Sequence, residues 1–160
     1  MPAQTNSRVA AGTIGPFKFI QTGAMVASDP TSNPPFTGGE LTALQCTGAG
    51  VEILGIGAEW TNAMMGTLIQ TSLLPQGFPA ATKGQGIRVY GDGEETIIMV
   101  GSGYNVVNDQ LLVSDASGNA IPLNPTATTP VQWIGARAIE AGIAGDVIRV
   151  SVVLRNYVSN

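Results

Sequence analysis

An all-β fold, a compact β-barrel or β-sandwich, is predicted by three features of this sequence. Glycine (21) and proline (10) fall between short apolar runs along the 160 residues. Turn formers at intervals of about ten residues mark a chain of many short strands. Near the C-terminus one run alternates strictly: Val147, Arg149, Ser151 and Val153 share one face, and Ile148, Val150, Val152 and Leu154 the other. The second face is wholly aliphatic and is expected to point into the core. Finally, a strand pattern recurs in both halves of the chain.

Eight strands follow from these signals: Phe17–Ile20, Leu41–Cys46, Val51–Trp60, Gly86–Tyr90, Thr96–Val100, Gln110–Ser114, Val131–Ile139 and Asp146–Leu154. Asp115-Ala-Ser-Gly118-Asn119 reads as a turn in which Gly118 takes a positive φ, and Gly91-Asp92-Gly93 as another. Asn62–Thr71 is the one helical candidate, weakened by Gly66 and by Thr and Ile content. Residues 1–16 are small, polar and aperiodic, and read as an extended N-terminal arm or a disordered terminus. Long loops are expected at Ser28–Gly39, rich in Pro, Ser and Gly, and at Leu74–Gly86. Residues 17–160 then form a single β domain.

The repeat divides that domain. Val51-Glu-Ile-Leu54-Gly55-Ile-Gly-Ala58 and Val131-Gln-Trp-Ile134-Gly135-Ala-Arg-Ala138 share the pattern Val-x-x-aliphatic-Gly-x-x-Ala. Downstream, Ile87-Arg88-Val89 matches Ile148-Arg149-Val150. Each half (17–100, with an insertion at 61–84, and 101–160) thus carries a strand with a central glycine and a closing Ile-Arg-Val strand. A glycine inside a strand suits a bend or a close backbone approach, as in a small barrel.

The line Asp109-Gln-Leu-Leu-Val113-Ser-Asp-Ala-Ser-Gly118-Asn-Ala, then Trp133-Ile-Gly135-Ala-Arg-Ala138, then Ala144-Gly-Asp146-Val-Ile-Arg-Val150 resembles the capsid decoration (cement) proteins of tailed bacteriophages. The resemblance covers residues 40–60 and 85–155 and contains no catalytic motif. It implies a compact β-barrel that forms a homotrimer on the outer capsid surface at threefold positions. There it would stabilise the shell by bridging neighbouring major capsid proteins against internal DNA pressure. The insertion and the long N-terminal arm depart from the shortest members, which leaves open which segments face the capsid.

Composition fits a protein made to be covered by neighbours, or an ordinary neutral β domain. Only 11% of residues are charged against 44% hydrophobic, where an ordinary soluble domain carries about 25% charge. A surface with few ions loses little hydration when a neighbour covers it. The net charge is −4, and the seven basic residues (Arg8, Lys18, Lys83, Arg88, Arg137, Arg149, Arg155) are scattered. Without a basic cluster, direct nucleic-acid binding is not expected. No apolar run reaches the ~18 residues of a membrane span. Residues 1–15 lack the apolar core of a signal peptide. Synthesis in a host cytoplasm is consistent with the single Cys46, which has no internal partner and reads as a buried, inert thiol.

The sequence offers little chemistry. There is no histidine to serve as base or metal ligand, and one cysteine forms no zinc-thiolate site. Gly55-x-Gly57 and Gly101-x-Gly103 lack the rest of a phosphate-binding frame, and no base can activate Ser102. Asp92, Glu94 and Glu95 could hold a hard cation, or simply form a solvated turn. No catalytic, cofactor or metal site is expected, and the chain is read as a non-enzyme. The candidate protein-interface residues are Arg8, in the arm, and four aromatics: Phe17, Phe36, Trp60 and Phe78. Trp60 could equally cap the barrel, while Trp133 is expected in the core. The alternative to a cement protein is another virion surface component, such as a head fibre base, tail or adhesin module.

Overall fold

Among the described residues the architecture is two five-stranded sheets, the first drawn from residues 6–89 and the second from residues 95–158. The computed structural model describes residues 6–23, 30–31, 42–57, 81, 84–127 and 131–158. The helical candidate Asn62–Thr71, most of the insertion, and Phe36, Trp60 and Phe78 lie outside the described residues.

The first sheet contains β1 (Asn6–Ala10), β2 (Lys18–Thr22), β3 (Thr42–Gln45), β4 (Ile53–Gly57) and β5 (Gly86–Val89) in the order β4-β2-β3-β1-β5. The second contains β6 (Glu95–Met99), β8 (Leu111–Ser114), β9 (Ala120–Pro122), β10 (Val131–Ala138) and β12 (Val147–Val158) in the order β6-β12-β10-β8-β9. A two-stranded ribbon, β7 (Asn105–Val106) with β11 (Gly142–Ile143), completes the set.

Each sheet curls until its outer strands meet. In the first, Ile56 of β4 and Tyr90, just past β5, exchange backbone hydrogen bonds of 3.1 and 2.9 Å. In the second, Val100, just past β6, bridges Ala120 of β9, and Gly101 N–H donates to Ala120 O at 2.8 Å. Closure of this kind leaves few unpaired strand edges. The expected barrel-like all-β fold is therefore observed, in two linked units.

The central glycines of the repeat explain the curl. A Cβ on Gly55 would stand 2.1 Å from the carbonyl oxygen of Tyr90, and one on Gly135 would stand 2.4 Å from Phe19 Cε1. Both glycines lie at register shifts: β4 slips against β2 between Gly55 and Ile53, and β10 slips against both β8 and β12 between Ile134 and Ala136. Such bulges bend a strand and increase its twist.

Two apolar clusters result. Within the first sheet lie Ala10, Ile14, Ile20, Ala43, Ala81, Ile87 and Val89. The larger cluster fills the second sheet with Ile98, Val100, Leu112, Ile148, Val150 and Val152, and reaches Phe17 and, on the first sheet, Phe19, Ile53 and Ile56. β2 serves both, because successive residues point to opposite faces: Phe19 enters the larger cluster and Ile20 the smaller. The alternation expected along the last strand is observed, with Ile148, Val150 and Val152 buried and Val147 and Arg149 exposed. Cys46 is free and buried as expected, and Trp133 packs against the larger cluster while staying partly exposed.

Of the N-terminal segment read as an arm, Asn6–Ala10 runs as β1 inside the first sheet, parallel to β3 and antiparallel to β5. Ile14 follows as a buried bridge partner of Ala81. Backbone pairing on both flanks orders this segment, and the alternation of its side chains does not announce it.

Candidate protein interface

Three large apolar side chains stay in water on the β7–β11 ribbon: Tyr104 (44% exposed), Val107 (60%) and Ile143 (61%). Ile143 stands across from Asn105, so these two leave the ribbon on one face, and Val107 follows directly after β7. Val106, between them, is buried in the core and anchors the ribbon.

Short turns hold these side chains in place. Tyr104 N–H donates to Gly101 O at 3.3 Å across a turn in which Gly103 has φ +80°. Val107 N–H donates to Gln110 Oε1 at 3.0 Å, and Asp109, at φ +63°, donates its N–H to Ala138 O at 2.9 Å. Ile143 N–H donates to Asp146 Oδ2 at 2.9 Å. An apolar surface held this way loses little further conformational entropy when a partner covers it.

Tyr104 also borders an open groove of about 410 Å³, lined by Ala49, Val113, Ile121, Leu123, Pro125 and Gln132 among others. Its floor is fixed where Gln132 Nε2 donates to Asn124 O at 2.6 Å. The nearby Arg137–Asp109 pair, at 3.7 Å, is largely solvated.

Of the interface candidates singled out in the sequence, Arg8 and Phe17 are among the described residues. Phe17 is 7% exposed and lies in the larger apolar cluster, between the sheets. Its φ is +58°, and its carbonyl accepts from Met99 N–H at 3.0 Å, tying the start of β2 to β6 of the second sheet. Arg8 is half-buried on β1, opposite Ile87. Its Nε is buried and lacks a hydrogen-bond partner among the described residues. Tyr104, Val107 and Ile143 were missed because they sit in turns and two-residue strands with no periodicity. The available signal was apolar residues inside turn-forming stretches such as Asn105-Val-Val-Asn-Asp109.

The acidic turn is structural. Glu94 Oε2 accepts from Gly91 N–H at 2.7 Å, and Asp92 Oδ1 accepts from Leu154 N–H at 2.9 Å. These carboxylates satisfy backbone donors within β12 and within the turn.

No family model matches the chain, and no curated protein matches it by sequence. Among solved structures, its fold is similar to that of the head fiber gp8.5 N base in bacteriophage phi29, with a TM-score of 0.55. The two are 8% identical, and the match covers 94% of this chain and 93% of that one. At that identity the likeness is one of fold.

Proposed function

We propose that this chain is a structural, non-enzymatic component of a phage virion that docks on the outer surface of the head. The observation that carries this reading is the fold likeness to a head fibre base over nearly the whole of both chains. The charge-poor composition and the exposed apolar ribbon beside a groove support it, since both suit a surface made to be covered.

In this reading the partner is the major capsid protein. Tyr104, Val107 and Ile143 form the anchor, because large apolar groups held in fixed positions concentrate binding energy. The chain acts as a homotrimer that stabilises the shell by bridging neighbouring capsid subunits, with many copies adding their weak contacts through avidity. The fold likeness also favours a second reading, the base of a projecting head fibre.

One experiment separates these. Purified protein is mixed with heads that lack it, the heads are sedimented, and bound copies and heat resistance are measured. Saturable binding with greater heat resistance supports bridging. Saturable binding with unchanged resistance supports a fibre base. Absence of binding to any head form overturns both.

A further inference from the structure

Where the two halves meet, three polar side chains form a cluster whose chemistry exceeds a hydrogen bond. Lys18, on β2 of the first sheet, donates from Nζ to Asn119 Oδ1, across 101 positions of sequence. Asn119 closes the turn between β8 and β9 of the second sheet, and its Nδ2 donates to Asp115 Oδ2 at 2.9 Å. Asp115 is itself fixed, its Oδ1 accepting from the N–H groups of Ser117 (2.7 Å) and Asn119 (2.8 Å).

The backbone locks the cluster in register. Phe19 N–H donates to Gly118 O at 2.7 Å, so the residues next to Lys18 and Asn119 are bonded to one another. Gln45 Nε2 adds a bond to Ser117 O at 2.8 Å. Gly118, at φ +74°, permits the contact: a Cβ there would lie 3.3 Å from Lys18 Cβ and 3.2 Å from Phe19 O.

We propose that Lys18 and Asn119 become joined by an intramolecular isopeptide bond, with Asp115 carrying the proton. The neutral Lys18 Nζ attacks Asn119 Cγ, forming the new C–N bond. One proton passes from Nζ through the Asp115 carboxylate to Nδ2, which Asp115 already holds. The Cγ–Nδ2 bond then breaks and ammonia departs. No oxidant or co-reactant enters, and the products are one secondary amide and one ammonia.

The surroundings favour this step. Burial lowers the pKa of Lys18 from its usual value and so raises the share of neutral amine, and the charge of Asp115 offsets part of that shift. The three groups are held before reaction, so the encounter is intramolecular. An open pocket of about 310 Å³, lined by Lys18, Asn119, Met99, Ser102 and Gly145 among others, gives ammonia a way out. The product would bond the first half of the chain covalently to the second, constraining the unfolded chain as any long-range cross-link does.

The test is the intact mass of the full-length protein under denaturing conditions, followed by peptide mapping. The expected mass is that of the sequence less one ammonia, with the Lys18 and Asn119 peptides joined. Lys18→Met, Asn119→Ala and Asp115→Ala should each restore the full mass, with circular dichroism confirming the β fold. An unmodified wild-type mass overturns the proposal. So does ammonia loss confined to the Asn119 peptide, which would report backbone cyclisation. Both readouts come from the wild-type chain, so a variant that fails to fold leaves the test decisive.

Discussion

The ring of Phe19 in β2 occupies the space where a side chain on Gly135 in β10 would be. A Cβ at that position would stand 2.4 Å from Cε1 of the ring and 2.8 Å from Ile53 Cδ1. The first sheet thus packs directly on the backbone of the second. Gly135→Ala is expected to destabilise the fold by about 1–3 kcal/mol through overpacking. Urea denaturation followed by tryptophan fluorescence measures this, and an unchanged midpoint would show that the core absorbs the methyl group.

Gly55 faces a harder obstacle, a backbone oxygen. With a Cβ only 2.1 Å from Tyr90 O, Gly55→Ala forces apart the bridge that closes the first sheet. Amide exchange of Ile56 and Tyr90 should accelerate far more than that of Val150 or Val152 in the second sheet. Equal acceleration everywhere would mean that closure and global stability are inseparable.

Removing the ring of Phe19 tests the joint between the halves. Phe19 is fully buried in the cluster they share. Phe19→Ala is expected to cost about 3–5 kcal/mol. The same denaturation experiment checks it, and a loss below that of an ordinary surface change would contradict a shared core.

Glu140 provides a pH test. Its pKa lies below the usual glutamate value, chiefly because its carboxylate accepts the Arg149 backbone N–H, and further because it accepts from the Arg149 guanidinium. A carboxyl depressed in the folded state adds stability above its unfolded pKa, and that stability is lost as pH falls through the folded value. The contribution is small, since the group is exposed. An NMR titration of the Glu140 carboxyl carbon should place its midpoint below that of a free glutamate. In Arg149→Gln the backbone N–H remains, so part of the depression should persist; its complete disappearance would assign the effect to the guanidinium alone.

For the proposed docking surface, Val107→Asp and Ile143→Asp should leave stability within about 0.5 kcal/mol, as both side chains are exposed. Head binding should fall sharply in the same sedimentation assay. Unchanged binding would move the contact elsewhere on the molecule.

Much of this fold was legible from local pattern. The alternation from Val147 to Leu154 identified the buried face of β12, and glycine placement located the turns at Gly93 and Gly118. β1 was hidden because its order comes from pairing with β3 and β5, which sequence periodicity does not encode. The candidate interface was harder still: Phe17 was named as an interface aromatic, and contacts between the sheets bury it.

The sequence by itself determined an all-β chain, two strands bent at a central glycine, and a composition poor in charge. These are properties of period, glycine placement and composition, all local along the chain. Only the tertiary structure decided that each sheet closes on itself, that Tyr104, Val107 and Ile143 remain in water, and that Lys18 meets Asn119 and Asp115. Those outcomes depend on which distant segments come together, and long-range pairing is set by the packing of the whole molecule rather than by any one stretch of it.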